Sequence, residues 1–167
     1  MQQLRISVQD DPIWAERIAG CTRIGPTRSS LHLAVFVEPY LSLLLAGTKS
    51  IESRFSQNPV APFQLILPGD LVLLKRAGAE IAAIAQVANV KYLKRNDKSW
   101  KDLRPTYQKQ LCATDDDFWN RVSGAWFASL IWFDHVRRLP AIECEKQDRR
   151  GWVVLKQATE QMALEWQ

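Results

Sequence analysis

The chain has little of the residues that build metal centres and disulfide frameworks. Its 167 residues include three cysteines and two histidines. The cysteines, Cys21, Cys112 and Cys144, are odd in number and share no CxxC spacing, which argues against both a disulfide framework and a thiolate zinc site. We therefore expect no metal, no cofactor and a reducing, cytoplasmic location.

Long hydrophobic runs are also missing. The most apolar stretch, 31–46, is interrupted by His32 and by the Glu38-Pro39 pair, and the first residues contain no continuous apolar segment. Neither a secretory signal nor a membrane span is predicted. The length fits one soluble domain with no membrane partner.

Positive charge is unevenly distributed. Lysine and arginine number 22 and aspartate and glutamate 18, a net charge of +4. Segment 91–109 alone has seven basic and two acidic residues, a surplus of five, with Tyr92, Trp100 and Tyr107 interleaved. Cations alternating with aromatics are typical of a surface that holds RNA phosphates and stacks bases. A solvated helix face with inward-turned aromatics gives the same composition and stays open.

Turn and cap signals divide the chain into three parts. Asp11 is expected to cap a helix over 13–19 that Gly20 ends, within an N-terminal extension at 1–28. Residues 29–157 form the main domain, with a helical insertion at about 94–124 that contains a break at Pro105 and a cap at Thr114. Residues 158–167 are predicted to form a tail helix.

Strands dominate the main domain. Short apolar or alternating runs predict strands at 31–36, 50–55, 71–76, 80–93, 128–139 and 151–155. In the second of them Ile51 and Phe55 share one face, whereas Glu52 and Arg54 share the other. Trp119, Trp126, Trp132 and Trp152 are assigned to packing, and Trp100 is expected to be exposed. Each of the two histidines, His32 and His135, is expected to be a satisfied core or edge residue rather than a ligand.

Three sequence elements together resemble the ASCH domain family. They are Gly47-x-Lys49-x-x-Glu52-x-Arg54, the turn Pro68-Gly69-Asp70 before a hydrophobic hairpin, and Gly151-Trp152 near the end. The resemblance implies an α+β fold, a PUA-like mixed β-barrel of five to six strands with peripheral helices. It also implies a cleft that receives RNA or a modified nucleoside.

The motif supplies the candidate site. Lys49 follows a helix end, so its ammonium is expected to stand clear of the packing and to meet a phosphate or base carbonyl. An internal Glu52–Arg54 pair beside a solvated Lys49 is the alternative. The full set of candidate ligand-binding residues is Tyr40, Lys49, Glu52, Arg54, Lys75, Arg76, Trp100 and Arg150.

A module that binds RNA or a nucleotide-like small molecule is the function these residues favour. A hydrolase is the first alternative, with Lys49 as the candidate catalytic residue. Amidohydrolases of the ASCH family have a threonine where this chain has Glu52 and a glutamate near the position of Gln86, so that reaction is not expected. Family ribonuclease activity would nominate Tyr40, Lys49 and Ser129. A protein-interaction adaptor is the second alternative.

Overall fold

The computed structural model describes residues 1–22, 27–144 and 149–159. Its helices are α1 Gln2–Ile6, α2 Pro12–Thr22, α3 Tyr40–Leu45, α4 Leu103–Tyr107 and α5 Asp116–Arg121, with a 3-10 turn at Lys98–Trp100. Its strands are β1 Leu31–Phe36, β2 Ile51–Ser56, β3 Leu71–Arg76, β4 Ile81–Lys94, β5 Phe127–Ile142 and β6 Trp152–Lys156. The predicted α+β class and the six strands are confirmed.

The six strands form one mixed sheet in the order β2-β5-β4-β3-β1-β6. Strands β1 and β3 run parallel, and the remaining neighbours pair antiparallel. Register shifts interrupt the β4–β5 ladder, and such bulges increase the local twist of a long strand pair. The sheet curls into a half-barrel in which the β2 edge faces the β1–β6 edge.

Strand alternation builds a core on each side of the sheet. On β1 and β3 the concave side receives Ala34, Phe36, Val72 and Leu74. The intervening residues of the same strands point to the convex side, namely Leu31, Leu33, Leu71 and Leu73. Because both faces are covered, these strands are apolar at most positions.

The N-terminal extension covers the convex side of β1 and β3. Trp14, Ile18 and Cys21 of α2 pack into the same cluster as the strand leucines. Asp11 caps α2 as predicted, since its Oδ1 accepts hydrogen bonds from the backbone of Ile13 and Trp14 at 3.1 and 3.2 Å. The predicted stop at Gly20 is wrong: the helix continues to Thr22, because packing of its apolar face outweighs the low helix propensity of glycine.

The helical insertion covers the other half of the convex side. Pro105 lies in the first turn of α4, where a missing N–H costs no helical hydrogen bond, so the predicted break there is wrong. The cap of α5 is Asp115 rather than Thr114, with its side chain accepting from Phe118 N at 2.9 Å. The predicted tail helix lies almost entirely outside the described residues.

Three of the four tryptophans that were assigned to packing are packed in the structure, and one is exposed. Trp152 is buried and Trp119 and Trp132 pack against the cluster under the insertion, as predicted. Trp126 is 56% exposed, so its assignment to packing is wrong. Trp126 directly precedes β5, where the backbone pairs with Ser56 O while the indole is left outside the sheet.

Two features are absent from the described part of the chain. No helix there is long and apolar enough to cross a membrane. No group of three or more histidine, cysteine, aspartate or glutamate side chains is close enough in those residues to hold a metal ion.

The buried thiol of Cys21 is expected to lower the stability of the protein at alkaline pH. Burial raises the pKa of Cys21 from 9.0 to about 11. The folded protein therefore keeps a proton that the unfolded chain loses in this window, so stability falls as pH rises. For Cys21 the loss amounts to about 2 kcal/mol at about pH 10.5.

Urea unfolding at about pH 8 and 10.5 checks this expectation, with Cys21→Ala as the matched variant. We expect the variant to lose less stability between the two pH values than the wild type. Some loss remains, because burial also raises the pKa of Tyr92 to about 12. Equal losses in the two proteins would contradict the assignment to Cys21.

Candidate functional site

The Gly-x-Lys turn links α3 to β2. Gly47 has a φ of +76°, a left-handed conformation that glycine adopts without steric cost and that commonly ends a helix. The backbone N–H groups of Thr48 and Lys49 both donate to Leu43 O, at 3.0 and 3.1 Å. The turn is thereby fixed so that the Lys49 side chain points inward.

Lys49 is buried, with 4% of its surface exposed. Its Nζ donates to Ile51 O at 2.6 Å and to Leu111 O at 3.0 Å, and lies 3.5 Å from Glu52 Oε2. The expectation that Lys49 stands clear of the packing is wrong, because the segment after α4 folds over it. Gln110 O accepts from the backbone of Ser50 and Ile51 in the same place.

Two features of the surroundings of Lys49 shift its pKa in opposite directions. Burial lowers the pKa of Lys49, and the Glu52 carboxylate acts in the opposite direction. The ammonium has three hydrogens and three nearby acceptors, two carbonyls and a carboxylate oxygen. The Tyr40 ring lies beside it, with Nζ 5.4 Å from the ring centroid.

Glu52 and Arg54 form the internal pair that the sequence left open as an alternative. Glu52 Oε1 and Arg54 Nε form an ion pair at 2.9 Å. The pair does not have hydrogen-bond geometry, so Nε has no hydrogen-bond partner. As predicted, the two side chains share the face of β2 opposite to Ile51 and Phe55, which pack beneath the insertion. The alternative was wrong only for Lys49, which is enclosed rather than solvated.

Arg54 ties the two edges of the half-barrel together. Its Nη2 donates to Val35 O of β1 at 2.9 Å, and its Nη1 donates to Gly151 O at 3.1 Å. The guanidinium carbon lies 5.1 Å from the ring centroid of Phe36 and 5.2 Å from that of Trp152. A Cβ on Gly151 would stand 3.1 Å from Arg54 Nη1, so the glycine leaves room for this arginine.

A small depression, which we call the seam pocket, opens where the two edges meet. It has a volume of about 200 Å³ and is lined by Arg54, Phe55, Ser56, Val60, Ala61, Pro62, Ser129, Gly151 and Trp152. The Arg54 side chain keeps 21% of its surface exposed. Ser129 lies opposite Arg54 in the β2–β5 register.

A second buried polar group supports Trp152 from behind. Trp152 Nε1 donates to His32 Nδ1 at 3.2 Å, so the proton of the neutral imidazole lies on Nε2, 3.2 Å from Asp70 Oδ2. Asp70 also accepts from Ser30 N at 2.7 Å and Leu67 N at 2.8 Å. The prediction that His32 is a satisfied core residue is confirmed. The role of Asp70 was missed, although the Pro68-Gly69-Asp70 turn was the signal that could have revealed it.

The eight candidate residues fall into three places. Tyr40, Lys49, Glu52 and Arg54 lie together at the seam. Three others lie near the β3–β4 turn: Lys75 donates to Ala79 O, Arg76 pairs with Glu38, and Arg150 lines a groove of about 840 Å³ with Lys75. Trp100 lies under the insertion, where it is half-buried and packs edge-on against Phe55 with 6.4 Å between the ring centroids. The expectation that Trp100 is exposed is therefore wrong, because its indole packs beneath the insertion.

Comparison with known proteins agrees with the family resemblance and with the curled sheet. The family profile described as the ASCH domain matches residues 35–160. The chain belongs to the ASCH domain family. A search of curated proteins found no match.

Solved ASCH structures from Zymomonas mobilis share the fold of this ASCH domain. The ASCH protein itself has 11% identity and a TM-score of 0.59, and the match covers 80% of this chain and 92% of that one. A serine-to-alanine variant of it has 12% identity and a TM-score of 0.59, with 85% and 99% coverage. At this level of identity the likeness extends to the fold only.

The insertion gives this ASCH domain a second depression, which we call the insertion pocket. It measures about 280 Å³ and is lined by Phe55, Arg95, Trp100, Lys101, Leu103, Arg104, Trp119, Val122 and Ser123. The Arg104 guanidinium lies 5.7 Å from the Trp119 ring centroid and pairs with Asp116 at 2.5 Å. Part of the cationic and aromatic segment predicted from composition therefore lines this pocket.

Proposed function

We propose that this ASCH domain binds RNA or a nucleotide-like ligand in the seam pocket, with Arg54 as the contacting residue. The observation that carries the proposal is the partly exposed guanidinium, held by Glu52 and two backbone carbonyls beside an aromatic wall. Lys49 and Glu52 act through Arg54 as positioning residues. This replaces direct contact by Lys49, which is enclosed.

The chemistry of Arg54 suits a phosphate or a base edge. A guanidinium has five N–H donors, and two of them are given to Val35 O and Gly151 O while Nε faces Glu52. The two remaining hydrogens on Nη1 and Nη2 are available to a ligand. Since the planar group is fixed in advance, little side-chain entropy is lost when it forms a bidentate bond.

The arrangement around Lys49 does not favour the hydrolase alternative. A general base needs a free lone pair, whereas two carbonyls and the Glu52 carboxylate surround the ammonium and stabilise its charged form. Burial lowers the pKa of Lys49, yet no hydroxyl nucleophile occupies position 52. A binding module is therefore the better account of the seam.

Arg54→Lys tests the proposal. Lysine keeps the positive charge but lacks the planar fork, so we expect the affinity for short single-stranded RNA at low salt to fall about tenfold. Fluorescence anisotropy with labelled dinucleotides and decanucleotides measures it. Urea unfolding of the variant confirms that the binding assay is performed on folded protein.

Arg17→Lys is the matched control for this substitution. Arg17 stacks on Trp14 in the N-terminal extension at 5.2 Å, away from the seam, so its replacement should leave RNA affinity unchanged. Equal affinity of Arg54→Lys and wild type would refute the seam pocket as the binding site. If the wild type binds no RNA at low salt, the adaptor alternative gains.

A further inference from the structure

Three depressions adjoin along the β2 edge of the sheet. The seam pocket shares Phe55 and Ser56 with a middle depression, which is also lined by Gln57, Arg121, Val122, Gly124 and Ala125. The middle depression in turn shares Phe55 and Val122 with the insertion pocket. We call the three together the β2 groove.

The charged side chains that line the β2 groove are all positive. Five cationic side chains line it, and none of its lining residues in the described part of the chain is acidic; the five are Arg54, Arg95, Lys101, Arg104 and Arg121. Beyond Glu52, two carboxylates of α5 act on them: Asp116 pairs with Arg104, and Asp115 interacts electrostatically with Arg121. Lys101 and Arg121 are exposed, so the groove attracts a polyanion.

Aromatic side chains line the same groove beside the cations. Trp100 and Trp119 contribute to the insertion pocket and pack edge-to-face against Phe55, at 6.4 and 6.2 Å. The exposed Trp126 lies just beyond the groove, and the guanidinium carbon of Arg95 is 5.7 Å from its ring centroid. Arg95 also donates to Ser123 O and Ala125 O at 2.5 and 2.9 Å, which holds this stacked pair in place.

We infer that the β2 groove guides a single strand of RNA from the seam pocket across the insertion. Phosphates lie against Lys101 and Arg121, and bases stack on Trp100, Trp119 and the adjoining Trp126. The inference rests on the proposed function, because one end of the RNA lies at Arg54. It adds that the partner is an RNA strand of several nucleotides rather than a mononucleotide. The flat aromatic faces favour RNA over an acidic protein segment, whose side chains do not stack.

Oligonucleotide length is the experimental variable that separates the two sites. Labelled oligouridylates of two and of ten nucleotides are titrated against wild type and against the double variant Lys101→Gln/Arg121→Gln. We expect the double variant to bind the decamer about tenfold more weakly and to bind the dimer unchanged. Its slope of log affinity against log salt for the decamer should be about 1.4 less steep, since each lost phosphate contact removes about 0.7.

Two further variants complete the test. Arg5→Gln/Arg17→Gln removes two charges from the N-terminal extension and should leave both probes unaffected. Trp126→Ala removes an exposed indole and should weaken decamer binding about fivefold or more, because one stacked base is lost.

The outcomes distinguish the two proposals. An unchanged decamer affinity and salt slope in Lys101→Gln/Arg121→Gln would overturn the groove even where Arg54→Lys weakens the dimer. Weaker decamer binding in that double variant, with no effect of Arg54→Lys on either probe, would overturn the seam pocket and leave only the middle depression and the insertion pocket as the RNA site. Displacement of the decamer by polyglutamate at equal charge concentration, without any effect of Trp126→Ala, would assign the surface to an acidic protein instead.

Discussion

Replacing Asp70 by alanine lowers the free energy of unfolding by about 3–5 kcal/mol. The carboxylate is 1% exposed and is the acceptor for Ser30 N, Leu67 N and the Nε2 proton of His32. After truncation these donors are left without acceptors in a dry environment, at about 1–3 kcal/mol each. Urea unfolding measures the change, and with a slope of about 2 kcal/mol per molar the midpoint falls by about 2 M.

Two variants control the Asp70 experiment. Asp70→Asn keeps one acceptor oxygen at nearly the same volume, so its loss should be about half as large. Glu16→Ala removes an exposed carboxylate on α2 and should change stability by no more than about 0.5 kcal/mol. A loss below about 1 kcal/mol for Asp70→Ala would show that water replaces the missing acceptor.

Replacing Glu52 by glutamine is expected to cost about 3–5 kcal/mol. Glu52 is the only carboxylate described in contact with both Lys49 and Arg54, at 3.5 and 2.9 Å. Without it two cations remain close together where water does not reach Lys49, and an uncompensated buried charge is strongly destabilising. Lys49→Met should cost less, because Glu52 is then still paired with Arg54.

The double variant Lys49→Met/Glu52→Gln completes a thermodynamic cycle. Because the buried ammonium is gone, we expect it to be more stable than the sum of the single effects implies, by about 1–3 kcal/mol. Urea unfolding of the four proteins at neutral pH gives this coupling energy. Additive losses would mean that the two side chains do not interact.

Local patterns were enough to predict the strands. The apolar run at 31–36 matches β1 residue for residue, and the turn at Pro68-Gly69-Asp70 opens the β3–β4 hairpin as expected. Alternation also placed Glu52 and Arg54 on one face of β2. Such signals depend on neighbours in sequence, so one chain is sufficient to reveal them.

The enclosure of Lys49 was not predictable in the same way. Its acceptor Leu111 lies 62 positions away, and nothing near Lys49 in sequence indicates that the insertion folds over it. Trp126 was misassigned for a related reason. Apolar neighbours in sequence do not reveal whether an indole at the start of a strand faces the core or the solvent. Composition did indicate that the insertion concentrates cations and aromatics, but not that they continue the seam.

The half-barrel is joined along its seam by a side chain, while its strands are joined by backbone ladders. Separating β2 from β1 breaks the bonds and stacking of Arg54 alone among those described there. Separating β4 from β5 breaks a ladder that extends from Ile81 to Lys94. The seam is therefore the one junction of the described half-barrel that no backbone ladder closes, and we expect any widening of the sheet to begin there, with every strand pair intact.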